Sequence, residues 1–318
     1  MKKTLVLGSL IADVCEKKQG FVQIYDSEIS IPVTLINGKK DGKTILITAG
    51  IHGCEYPGIQ TAIELAREIN EEEVAGNIII IHPVNIEAFK SKVSAIVPTD
   101  KKNINREFPG DKNGSVSQQI AHFISHQCQS QADFYIDLHG GDLYELATDY
   151  VYYPGIGDDE VVSLSREIAT MIDTEYMVKS SARTGAYNFA AINGTPSILI
   201  ERGGRGLWSK EEVIKYKKDI KMILNYLNVI IDSNYENKKK NKVEITNAVQ
   251  VDSEVDGCWY PNVLPGHRVN EGMIIGEIKD FFGNTIKSYN AKINGVVLYM
   301  TMSLSISGDE PLIAYGEI

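Results

Sequence analysis

Between residues 44 and 231, short β-rich runs alternate with longer stretches of helical periodicity, and few architectures can bury such a pattern. TILITA precedes a helix expected over 57–69, and NIIIIHPV precedes one over 117–129. DFYIDLH, a helix over 159–172, the strand SILIE and a helix over 209–231 complete the series. This rhythm predicts an α/β domain with a largely buried sheet. Pro57 suits the first turn of its helix, where a missing N–H leaves no intrahelical bond unmade.

Past residue 231 the character changes. SNYENKKKNK is polar and lysine-bearing, reads as an exposed connection, and places a boundary within 232–245. We divide the chain into domains 1–240 and 241–318. The second consists of strand-like pieces separated by glycine turns, from VDGCWYPNVL to GDEPLIAYGEI, and reads as a small all-β module without helices. The lysine run at 238–240 is expected to be solvated surface rather than a binding patch.

The start, MKKTLVLGSLIADVCEKK, places two lysines before an apolar run, as a secretion signal would. Gly8 and Ser9 interrupt that run, and Asp13 stands where small neutral residues would precede a cleavage site, so a first β-strand is the better reading. No stretch approaches the roughly 18 apolar residues of a membrane span, which predicts no membrane partner. The 42 acidic residues outnumber the 32 basic ones, giving a net charge of −10 that argues against a nucleic-acid partner. Cysteines at 15, 54, 128 and 258 form no Cys-x-x-Cys pair and are expected as free thiols in a reducing cytoplasm.

The chemistry is concentrated where apolar runs end in glycine-flanked loops. In TILITAGIHGCEYPG, His52 and Glu55 lie three residues apart in a tight loop after a strand, and both can aim at one point. Zn²⁺ favours imidazole nitrogen and carboxylate oxygen at about 2.0–2.2 Å, and hydrolytic sites use three protein ligands. His139, in FYIDLHGG, has the same setting and is the candidate third ligand. Either histidine alone reads more simply as structural; with Glu55 the balance reverses. Asp137, two residues before His139, would face the same side and either orient that ligand or serve as a buried structural carboxylate. Glu201 ends SILIE and can take the proton from an attacking water and deliver it to a leaving amine; a salt bridge to Arg202 is the plainer alternative. Asn105 and Arg106, in NINREFPG, could grip a substrate carboxylate, although such a pair in isolation is usually surface.

Taken together, GIHGCEYPG, NINREFPG, DLHGG and the strand-terminal Glu201 resemble the succinylglutamate desuccinylase and aspartoacylase family, itself related to the zinc carboxypeptidases. The resemblance covers nearly the whole chain. It implies an α/β fold with a mixed central sheet flanked by helices, followed by a small β barrel reminiscent of lipoyl domains that narrows the cleft. It implies one zinc per chain on His52, Glu55 and His139, with Glu201 as catalytic acid/base and Asn105 and Arg106 as carboxylate ligands. The expected substrate is a small N-acyl amino acid, cleaved at its amide in the cytoplasm by a monomer or a homo-oligomer. Lipoylation is not expected, since NAKING around Lys292 lacks the flanking methionine. A cytoplasmic zinc carboxypeptidase would share every ligand, and a non-catalytic metal-stabilised binding protein is a more distant alternative.

One departure concerns the reacting carbonyl. Relatives often carry an arginine shortly before the Asn-Arg segment that polarises it, whereas no arginine lies between His82 and Arg106 here. By spacing Ala95 stands near that place. Lys90, Lys92, Arg183, Arg202 and Arg205 are the candidate substitutes.

Overall fold

The computed structural model describes residues 2–25, 27–231 and 241–318, so the linker segment at 232–240, with its lysine run, lies outside the described residues. At the centre, the strand Lys40–Ala49 runs parallel to Ala75–Ile81 on one side and to Phe134–His139 on the other. Ser197–Gly204 continues the parallel set beside Phe134–His139. Antiparallel strands flank this core: Ser30–Asn37 and Glu16–Gln23 at one end, and Glu145–Pro154 beside Ser197–Gly204 at the other. The sheet is thus mixed, as expected.

The continuous apolar runs follow from helices covering both faces. Ile45, Ile47, Ile78, Ile80, Phe134 and Ile136 point into one core, closed by helices Tyr56–Glu68, Asp159–Ala169 and Lys210–Tyr226. The residues between them, Leu46, Ile79, Ile81 and Tyr135, point into the other, closed by helices Val116–Phe123 and Ala186–Ile192 and by the N-terminal residues. Alternation at period two puts large side chains on both faces of every central strand, each stabilising the fold by about 1.5–3 kcal/mol on full burial.

Several details differ from the sequence reading. The N-terminal segment is a hairpin, Leu5–Leu7 against Leu10–Ala12, because Gly8 adopts a left-handed conformation and turns the chain where a single strand was expected. The helix expected over 117–129 ends as an α-helix at Phe123 and continues as a π turn over Ile124–Cys128. Short helices at Ile86–Ser91 and Ala186–Ile192 were too brief for a periodic signal, although Asn85, whose side chain accepts from Ala88 N at 3.0 Å, is a capping residue.

The C-terminal part is built of antiparallel sheets around its own core of Trp259, Ile278, Leu312 and Ile313, among others. Its strand Gly295–Thr301 also pairs with the start of Glu145–Pro154, Tyr299 opposite Ala147, which joins it to the main sheet. Val243–Ile245 runs parallel to Tyr176–Ser180. Among the described residues, no helix is long and apolar enough to cross a membrane.

Arg202 is fully buried, and its guanidinium meets Asp219 Oδ2 at 2.6 Å and Asp149 Oδ2 at 3.3 Å. Removing one partner of a buried ion pair leaves the other charge without compensation. Asp219→Ala is therefore expected to destabilise the fold by about 3–5 kcal/mol, read as a fall in the urea midpoint. An unchanged midpoint would show that Asp149 alone suffices.

Candidate metal and active site

The loop after Lys40–Ala49 delivers two of the predicted ligands. Gly53 packs so close to the backbone of Ala88 and Phe89 that a Cβ there would collide with it, which pins the turn between His52 and Glu55. Glu55 stands at the N-cap of helix Tyr56–Glu68, yet its side chain makes no capping bond. It is turned instead to the imidazoles: Oε1 lies 2.7 Å from His52 Nδ1, and Oε2 lies 3.0 Å from His139 Nδ1.

His139 closes the strand Phe134–His139, and the three potential ligand atoms lie within 4.8 Å of one another. Glu55 Oε2 is buried with no hydrogen bond of acceptable geometry, a costly state for a carboxylate oxygen that a cation would relieve. Two imidazole nitrogens and one carboxylate, converging from one cavity wall, are a donor set that suits zinc and leaves an open position. Although burial opposes its charge, the two imidazoles hold the Glu55 carboxyl down to about 2.

Outer side chains flank both rings. Asp137 Oδ2 lies 3.2 Å from His139 Nε2, while its Oδ1 accepts from Thr48 Oγ1 at 2.7 Å, so the residue two positions before the histidine does face it. His52 Nε2 lies 3.2 Å from Asn103 Oδ1, which also accepts from Asn105 N at 2.8 Å. Asn103 opens NINREFPG with no chemical signal of its own in the sequence, and in the structure its side chain orients His52. Such contacts typically contribute about 10–100-fold in metal affinity or activity, so Asn103→Ala should lose that much in metal affinity by competition with a chromogenic chelator. An unaltered affinity would reduce Asn103 to a loop-shaping residue.

Parallel pairing sets Glu201 directly beside His139 on the neighbouring strand. Glu201 lines the same cavity, whereas Arg202, next along the strand, is turned away to Asp219 and Asp149. The Glu201–Arg202 salt bridge is accordingly not formed. Burial raises the Glu201 carboxyl well above its ordinary range, against the opposing pull of His139. A carboxylate poised to hold or release a proton near the ligand cluster is equipped for general acid–base work.

These residues open onto a cavity of about 590 Å³, within the range of small-molecule sites. Asn105 and Arg106 line it. Asn105 Oδ1 accepts from Ala186 N at 2.9 Å, at the start of helix Ala186–Ile192, so its amide nitrogen remains as a donor. Ala95 also lines the cavity, and Lys90, Lys92, Arg183 and Arg205 do not. Among the described lining residues, Arg106 is the one arginine or lysine. Sequence reasoning did not mark Asp142, Glu145, Tyr150, Tyr152 or Tyr187 as lining residues, nor Gln250 and Tyr299 from the C-terminal part.

A family model of the succinylglutamate desuccinylase/aspartoacylase catalytic domain matches residues 41–229. The chain is 26% identical over 301 residues to the N-alpha-acetyl-L-2,4-diaminobutyric acid deacetylase of Halomonas elongata, a match covering 91% of this chain and 86% of that protein. Its fold superposes on the product-bound ectoine utilization protein of Ruegeria pomeroyi with a TM-score of 0.88 at 24% identity, over 98% of each chain. The succinylglutamate desuccinylase/aspartoacylase of Rhodobacter sphaeroides gives 0.83 at 24% identity over 95% of each. With more than half of its length matched by the family model, the chain belongs to the succinylglutamate desuccinylase/aspartoacylase family of N-acyl amino acid deacylases.

Proposed function

We propose that the protein is a zinc-dependent amide hydrolase that removes the acyl group from a small N-acyl amino acid in the cytoplasm. The observation that carries this reading is the convergence of His52, Glu55 and His139 with Glu201 and Arg106 in one cavity. Zinc held by the two imidazoles and Glu55 would supply Lewis acidity toward the carbonyl and acidify a water. Glu201 takes the proton of the attacking water and passes it to the departing amine. Arg106, with Asn105 beside it, holds the substrate carboxylate and so fixes the amide relative to Glu201. In this reading residues 1–240 are the hydrolase domain, while residues 241–318 contribute Gln250 and Tyr299 to the cavity wall and limit the length of what it accepts.

The experiment is a comparison of N-acetyl and N-succinyl amino acids with short peptides bearing a free C-terminus. Release of the amino acid from the acylated compounds, with peptides at least about 100-fold poorer in kcat/KM, is the expected result, since both classes offer Arg106 a carboxylate and the wall that includes Gln250 and Tyr299 is what separates them by length. Preferential cleavage of peptides would make the protein a carboxypeptidase. Cleavage of neither would remove the hydrolase assignment.

A further inference from the structure

Phe281 and Phe282 are each 90% exposed, more than any other large apolar side chain among the described residues. They stand at the tip of the hairpin formed by Ile274–Lys279 and Thr285–Asn290. The tip is well ordered. Asp280 Oδ1 accepts from Phe282 N at 2.9 Å and from Asn284 N at 2.8 Å, its Oδ2 accepts from Asn284 Nδ2 at 2.9 Å, and Gly283 takes a left-handed conformation. Two large apolar side chains are thus presented by a turn already fixed, so burying them costs little further ordering. Met273 and Ile274, at the opposite end of the hairpin, are 39% and 45% exposed, and Ile286 on its second strand is 49% exposed.

Thr285–Asn290 is also a sheet edge: among the described residues it pairs with Ile274–Lys279 on one side and with no strand on the other. Unpaired edges invite a further strand, and natural proteins guard them with proline, lysine or inward-pointing charge. TIKSYN has no proline, and its one charge, Lys287, is already paired with Glu254 Oε2 at 2.7 Å. Lys279 is paired with Glu277 at 3.3 Å. An anionic membrane would need unpaired basic residues beside the phenylalanines, which this hairpin does not offer. The edge is instead complementary to itself. A two-fold axis sets one residue of the strand opposite its own counterpart. Centring on Lys287 would oppose two lysines, whereas centring on Ile286 pairs two apolar side chains. That register also brings Phe282 level with Asn290 of the other copy, and so with the Ile274 that pairs with it, and sets Asp280 level with the exposed Lys292. We infer that two copies of this chain associate through the hairpin, their Thr285–Asn290 strands pairing antiparallel about Ile286 and the Phe281–Phe282 tip of each covering Met273 and Ile274 of the other. Four phenylalanines supply roughly 500–900 Å² of the about 1,200–2,000 Å² that a specific interface buries, and the paired edges, Ile286 and the hairpin bases supply the remainder.

The test is sedimentation of the purified full chain at about 50 µM, combined with a cysteine placed in the strand. Wild type is expected to sediment as two copies. Phe281→Ser combined with Phe282→Ser should raise the dissociation constant by about 100-fold or more while leaving the circular-dichroism spectrum unchanged, because both side chains are exposed in the single copy. Ile286→Cys should cross-link to its own counterpart under mild oxidation, since directly opposite Cβ atoms lie about 4.5–5.5 Å apart. Ser288→Cys, two residues from the axis, should link at least about tenfold more slowly. Wild type under the same oxidant accounts for the native thiols at 15, 54, 128 and 258. A wild type that sediments as one copy would overturn the proposal. So would a dimer unaffected by the two serines, or one in which Ile286→Cys links no faster than Ser288→Cys, since the copies would then meet through another surface or register.

Discussion

Glu201→Gln is expected to lower kcat by about 10²–10⁴-fold while the protein still binds its metal, because the substitution keeps the shape of the side chain and removes its ability to accept a proton. The strand register places residue 201 beside His139, so its carboxyl group is close to the ligand cluster without belonging to it. Burial has already moved this carboxyl well above its ordinary range, so proton uptake there is comparatively easy. The measurements are steady-state kinetics and metal content on the same sample. Near-normal turnover would remove Glu201 from the chemistry. Loss of the metal would make it a ligand instead.

His139→Ala is expected to abolish both metal retention and activity. Two ligands would remain where a hydrolytic site needs three. Glu55 and Asp137 flank the imidazole, Glu55 Oε2 at 3.0 Å from Nδ1 and Asp137 Oδ2 at 3.2 Å from Nε2, so the variant would also leave two buried carboxylates without their shared partner. A stability loss of about 3–5 kcal/mol should accompany the loss of metal. Metal analysis after dialysis and a thermal melt separate the two effects. Full metal retention in this variant would mean that the ion sits elsewhere.

The parts of the site that were legible in the sequence are those set by local geometry. A His and a Glu three residues apart in a glycine-bounded loop can converge whatever lies around them, and Asp137 shares a face with His139 because strands alternate with period two. The placement of Glu201 beside His139 needed the parallel pairing of two strands, for which the α/β rhythm gives only the general architecture. What could not be read was the opposite wall. Glu145 and Tyr150 come from a strand whose antiparallel place beside Ser197–Gly204 leaves no mark in its own composition. Tyr299 reaches the cavity because Gly295–Thr301 pairs with that strand across about half the chain, a contact no local pattern encodes. The N-terminal hairpin was missed for a different reason: Gly8 and Ser9 were seen as an interruption of an apolar run, when a left-handed glycine between two short apolar pieces is also what a tight turn requires.

If His52, Glu55 and His139 hold a zinc ion on which amide hydrolysis depends, metal and activity are lost and regained together. The most direct measurement is the metal content of the purified wild-type protein, paired with its deacylation of an N-acyl amino acid before and after treatment with a chelator. About one zinc per chain, with activity lost on chelation and restored by adding zinc back, is the result the account predicts. Undiminished hydrolysis by protein stripped of metal would contradict it.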